Sequence, residues 1–220
     1  MRRLVSIALA LLLGASSVGA QIISVPNRGL QRERTVSLTG GIGLLSLQGL
    51  FDGSTQTGWD FSQALEYTAA AEFRVSRGAW VGVTASYANM PLNHQQVVSP
   101  GGNSYSIIYT DAHVNVYTAG AQFSMGPGSP GFHQVIVINA GIIAFENFHA
   151  DRDGRRLTPE RDIDPRIGIG YGFGYGFRNS LEVFLVQEAG VALHQGEGLS
   201  GNDRRQYQQQ ATRIGVRLGL

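Results

Sequence analysis

Ile167-Gly168-Ile169-Gly170-Tyr171-Gly172-Phe173-Gly174-Tyr175-Gly176-Phe177 is the stretch that decides the fold. Every odd position carries an apolar or aromatic side chain, and every even position is glycine. The period is two, which is that of a strand; a helical face repeats at 3.6. One face is wholly apolar and the other has no side chains at all. Such a strand turns its bulky face to an apolar medium and leaves room on the bare face for large neighbours such as Phe184.

The same alternation recurs on both sides of this run. Val36, Leu38, Ile42 and Leu44 alternate with small or polar residues, as do Leu65 to Ser76 and Val81 to Ala88. Tyr109 to Met125 alternates too, but its apolar phase slips near Val116 and Tyr117, where a β-bulge would restore the facing. Phe132 to Phe145 is apolar on both faces. Leu181 to Leu193 and Ile214 to Leu220 complete eight strands. Between them the connections alternate long and short: residues 45–62, 77–78, 89–104, 126–131, 147–162, 178–180 and 194–204. Long external loops and tight periplasmic turns alternate in this way in outer-membrane barrels. The expected fold is therefore all-β, an eight-stranded antiparallel up-and-down transmembrane β-barrel.

Two sets of aromatic residues fit the two membrane interfaces. Phe73, Trp80, Phe123, Phe132, Tyr175 and Phe177 stand beside the short turns. Tyr67, Tyr87, Tyr105, Tyr109, Phe145, Phe148 and Tyr207 stand towards the long loops.

The N-terminus reads as a signal peptide over residues 1–20: Arg2 and Arg3, an apolar run from Leu4 to Leu13, then Val18-Gly19-Ala20 before Gln21. Residues 21–32 are expected to be a periplasmic segment and residues 33–220 the barrel. No later segment is long and apolar enough for a spanning helix, so a membrane location requires a closed barrel. There is no cysteine, hence no disulfide to stabilise an exported domain. The 17 basic and 16 acidic residues become 15 and 16 without Arg2 and Arg3. That balance leaves no basic face for nucleic acid. Every basic side chain is arginine, which suits bidentate pairing with carboxylates and phosphates.

The signal peptide, strand count, loop alternation and final strand Thr212-Arg213-Ile214-Gly215-Val216-Arg217-Leu218-Gly219-Leu220 resemble small outer-membrane proteins of the OmpX and OmpA transmembrane-domain type. The resemblance is architectural and spans the mature chain. It implies assembly by the barrel-assembly machinery through the C-terminal strand, and a monomer. Leu220 stands where that group's assembly signal normally has an aromatic residue.

An eight-stranded barrel is just wide enough for side chains to fill. The inward positions are expected to carry Glu66, Glu72, Arg74, Asp111, His113, Glu182, Glu188, Arg213 and Arg217. Opposite charges in that space should pair, because an unpaired buried charge is expensive. If the last loop centres near Ser200, Glu182 lies opposite Arg217, and Glu188 one diagonal from Arg213. These pairs form either a static plug or a gate.

Candidate chemistry is sparse. The glycine runs continue as strand, so they do not open a nucleotide-binding helix. None of the five histidines has a partner histidine at metal spacing, and no metal or cofactor is expected. His194, Glu188 and Ser200 are the only trio near enough in sequence to weigh as a catalytic set, and no catalytic assignment is made from them. The most charged connection carries Asp151, Asp153, Arg155 and Arg156, which read as a solvated loop or as contacts to lipopolysaccharide phosphates and bridging cations. The reading is a non-enzymatic outer-membrane barrel with external loops that meet lipopolysaccharide or other partners. A narrow solute pore gated by lumen ion pairs stands second, and a lipid A-modifying enzyme third.

Overall fold

The computed structural model describes residues 35–53, 56–98, 105–128, 130–158, 161–177, 180–194 and 206–220. The expected signal peptide and periplasmic segment lie outside them. Ten strands follow in order: β1 (Val36–Leu47), β2 (Leu50–Asp52), β3 (Thr57–Phe61), β4 (Ala64–Ser76), β5 (Ala79–Val98), β6 (Ser106–Met125), β7 (Gly131–Ala150), β8 (Arg161–Gly176), β9 (Leu181–Leu193) and β10 (Gln206–Gly219). Eight of them, β1 and β4 to β10, pair antiparallel with their sequence neighbours, and β1 pairs with β10 to close the ring. The small hairpin β2–β3 lies within the first long connection and pairs with the far end of β5.

The ring turns its apolar face outward. Leu38, Ile42, Val83, Ile167, Ile169, Leu185, Ile214 and Leu218 are each exposed on the exterior, while Glu66, Glu72, Glu182 and Glu188 are buried inside. That arrangement is the reverse of a soluble barrel, and only a hydrocarbon surround stabilises it. This is a transmembrane β-barrel. Phe73, Phe132, Tyr175 and Phe177 are exposed beside the short turns, and Tyr67, Tyr87 and Tyr117 ring the other edge. Gln187, an outward polar residue within the belt, is hydrogen-bonded to the Thr212 hydroxyl on the neighbouring strand. The short turns use left-handed backbone; at Gly126 (φ 98°) a Cβ would also lie 1.8 Å from the Gln134 carbonyl oxygen.

Three strands are much longer than a membrane needs. β5, β6 and β7 have 20 residues each, against about 9–11 for a tilted spanning strand. They run on for about ten further residues, about 33 Å along the strand at about 3.3 Å each. Over that length the sidedness inverts. Inward positions become apolar, with Ala88, Met90, Leu92, Ala112, Val114, Val116, Phe145 and Phe148 all buried in one core with Leu45, Trp59 and Tyr207. Polar residues enter the outward positions, with Asn89 on β5, Asp111, His113 and Asn115 on β6, and Gln206, Gln208 and Gln210 on β10, while Tyr109 and Ile107 are exposed farther along β6. The medium has changed from lipid to water, so the stable facing changes with it. Pro91 sits on β5 between its ladder with β4, which ends at Ala88, and its ladder with β3, which starts at Leu92. A missing N–H is tolerated in that gap.

Several expectations are corrected here. Asp111 and His113 face outward. β6 has no bulge near Val116 and Tyr117; its ladder with β5 is unbroken, and the extra residue lies on β7 near Asn147 (φ 60°). Trp80, Phe145, Phe148 and Tyr207 are interior residues and belong to neither girdle. Residues 89–98 of the one expected connection, and 147–150 and 161–162 of another, are strand, since an apolar-in, polar-out ladder above a membrane lacks the lipid-facing stripe. Phe184 packs over Gly215, where a Cβ would meet its ring at 2.5 Å; the glycines of β8 make room for His133, Glu182, Val186 and Glu188 instead.

Candidate functional site

The lumen is filled in tiers. Next to the periplasmic turns, Arg217 links Glu182 (Nη1–Oε1 3.0 Å) and Glu72 (Nη2–Oε2 3.1 Å). Arg217 and Glu182 are direct cross-strand partners in the β9–β10 ladder. Ser124 and Gln122 donate to Glu72 at 2.6 and 3.0 Å. His133 Nε2 stands 3.2 Å from Glu182, whose other oxygen accepts the Gly128 N–H at 2.9 Å. The Phe184 ring lies 5.6 Å from the Arg217 guanidinium carbon, closing the space beside it.

In the middle tier Arg213 forks onto Glu66, with Nε–Oε2 at 2.8 Å and Nη2–Oε1 at 3.0 Å. Its Nη1 bonds Glu188, one diagonal away on β9. Arg166 reaches the other Glu188 oxygen at 2.5 Å and Asn139 at 3.0 Å. Glu66 is 0% and Glu188 2% exposed. The bare face of β8 makes this tier possible: at Gly168 a Cβ would stand 2.8 Å from Asn139 and 3.1 Å from Glu188.

A third tier was not legible from spacing in the sequence. Asp162 and Asp164 on β8 and His194 at the end of β9 converge under the apolar core, all buried. His194 Nδ1 is 3.2 Å from each Asp164 oxygen and 3.5 Å from Asp162. The Tyr207 hydroxyl donates to Asp164 at 3.1 Å. Burial first, and the Asp164 charge second, push the Tyr207 phenol far up, so it stays a donor. Register explains the grouping: Asp162 and Asp164 are alternate inward positions, and Arg166 pairs with Ala192, which sets Asp164 beside His194. An Asp-x-Asp at the start of the glycine strand was the available signal.

Of the expected lumen residues, Glu66, Glu72, Glu182, Glu188, Arg213 and Arg217 are brought together. Arg74 is not; it lies at the periplasmic rim, where its Nε donates to the Ser76 carbonyl at 3.3 Å. Glu188 does not approach His194 as a catalytic partner, because Arg213 and Arg166 hold it, and Ser200 lies outside the described residues.

The charged external segment forms a compact tip on β7. Asp153 accepts the Arg155 N–H at 3.0 Å, and Gly154 (φ 66°) donates to the Ala150 carbonyl. Asp151 pairs with His113 at 2.5 Å. Leu157 folds back into the core, while Arg155 and Arg156 are exposed.

No family model matches the chain, and no curated protein does. Among solved structures it is similar to Ail, the attachment invasion locus protein of Yersinia pestis, at 11% identity and TM-score 0.45, over 85% of this chain and all of that one. It is similar to neisserial surface protein A at 12% and 0.46, over 84% and 96%. It is similar to the outer-membrane protein OprG of Pseudomonas aeruginosa at 11% and 0.49, over 86% and 97%. The chain is a small barrel of the outer-membrane type. None of these likenesses reaches a TM-score of 0.5, and the architecture stands on the strand pairing and the apolar belt described above.

Proposed function

We propose that this barrel is a non-enzymatic, closed element of the outer membrane whose raised external part offers a surface to lipopolysaccharide and other partners. The observation that carries this reading is the filled lumen: two tiers of ion pairs, an acidic–histidine tier and an apolar core lie one above another. A channel needs a continuous wet path, and side chains occupy this one. A lipid-modifying activity is disfavoured by the place of His194, buried and held by two carboxylates inside the wall. The contact to lipopolysaccharide runs through Arg155 and Arg156, whose guanidinium groups suit phosphate, with Asp151 and Asp153 beside them to share bridging cations. Insertion by the assembly machinery through β10, as a monomer, belongs to the same reading.

The test is conductance of the purified full-length protein in planar bilayers. Silence under an applied potential, with lipopolysaccharide capture that falls on Arg155→Ala with Arg156→Ala, supports the proposal. Steady channels whose conductance changes on Glu188→Ala or Arg213→Ala overturn it in favour of a gated pore.

A further inference from the structure

We infer that Asp162, Asp164 and His194 form a buried binding site for a zinc-class divalent cation, with Tyr207 as its hydrogen-bonding support. Four features of the cluster point there. Its donors are of two kinds, imidazole nitrogen and carboxylate oxygen, a set suited to zinc and its neighbours rather than to calcium, which takes six or more oxygens. The donor atoms of the three residues lie within 4.8 Å of one another. All three side chains are at most 8% exposed, so the cluster is not a solvated acidic surface.

The fourth feature is the spacing. Nδ1 of His194 stands 3.2, 3.2 and 3.5 Å from three carboxylate oxygens. That nitrogen carries at most one proton and can serve one oxygen well, at about 2.7–2.9 Å for a charged pair. With one oxygen taken from each carboxylate, the 3.2 Å to Asp164 and 3.5 Å to Asp162 are near the about 3.3 Å that metal bonds of about 2.0–2.1 Å in a tetrahedron set between neighbouring donors. Tyr207, 3.1 Å from Asp164, orients that carboxylate as supporting hydrogen bonds do in metal sites. The same stretch of lumen has unsatisfied polar atoms. The Gln209 side chain, one inward position along β10 from Tyr207, is 2% exposed with neither amide atom partnered, and Arg166 Nε is likewise unpartnered.

The ion would pin the start of β8 to the end of β9 at the level where the lumen passes from polar to apolar. Its role is structural, and the apolar core above it implies loading during folding.

The experiment is zinc binding to the full chain refolded in detergent, by calorimetry, beside calcium and a detergent blank. Cobalt substitution supplies a spectroscopic readout. The expected result is one zinc per barrel, no calcium heat, and visible cobalt bands of tetrahedral intensity. Asp164→Asn and His194→Gln should each weaken zinc by about a hundredfold, since each replaces a carboxylate or imidazole by a much poorer neutral amide ligand. His113→Ala, at the exposed His113–Asp151 pair, should leave it unchanged. Each variant is first checked for the gel mobility shift of a closed barrel; if both ligand variants fail that check, the cobalt spectrum of the wild-type chain decides. No zinc heat above blank, an octahedral cobalt spectrum, or loss on His113→Ala alone overturns the inference.

Discussion

Arg213→Ala removes the group that holds the middle of the lumen together. Arg213 forks onto Glu66 and reaches Glu188, and both carboxylates are essentially inaccessible to water. Glu188 keeps Arg166 at 2.5 Å. Glu66 is left as a carboxylate in a wall of side chains. Breaking a buried pair by deleting one partner costs about 3–5 kcal/mol, which is about a hundredfold to several thousandfold in the folding equilibrium. Arg213 is 15% exposed at its side chain, so solvent relieves little of this. Urea unfolding of the barrel in lipid vesicles, followed by the folded band on unboiled gels, reads the loss. Glu66→Gln with Arg213→Met should restore most of it, because removing both charges is often close to neutral. A loss under about 1 kcal/mol for Arg213→Ala, within what an exposed pair contributes, would refute the reasoning. So would a double variant no more stable than the single.

Further outcomes follow from other tiers. Gly215→Val drives a side chain into the Phe184 ring and the Gly40 carbonyl, and should destabilise the barrel by about 1–3 kcal/mol, with partial relief from Phe184→Ala, by the same unfolding assay. Leu185→Arg places a charge on the lipid face and should cost about 2–4 kcal/mol at mid-depth, whereas Gln208→Arg, on the outward face above the belt, should cost little. Trp59→Ala should cost about 3–5 kcal/mol and open the raised part to protease, leaving a protected membrane-embedded fragment. His94, above the belt, has its pKa lowered by burial first and by Arg155 second. Its folded form favours the neutral ring, so this stability is complete above the ordinary histidine value of 6.5 and is lost as pH falls through the lowered one. A His94→Gln chain should therefore show a flatter acid side in its stability–pH profile.

The barrel was legible because lipid and lumen impose opposite chemistry on alternate positions, as in Ile167 to Phe177. The cross-strand placement of Glu182 against Arg217 followed from counting outward from the last loop, since a two-residue period fixes facing once register is known. What misled was β6. A one-residue bulge and a change of surrounding medium leave the same mark on a sequence: each swaps the parity of the apolar positions. Tyr117 faces lipid and Val116 faces the core, so both appear as neighbouring apolar residues, and only pairing partners separate the two explanations. For the same reason Asp111 and His113 looked inward. The Asp162–Asp164–His194 tier was hidden because its members come from two strands thirty residues apart, joined by register rather than spacing.

The inversion of facing along one strand face is the central claim, and the absence of native cysteine makes it directly measurable. Single cysteines at Leu185 and Gln208, both outward, would be labelled with an environment-sensitive fluorophore in lipid vesicles and challenged with lipid-borne and aqueous quenchers. The account predicts that the Leu185 site emits from hydrocarbon and yields only to the lipid quencher, and that the Gln208 site emits from water. A Leu185 label open to the aqueous quencher, or a Gln208 label buried in lipid, would contradict it.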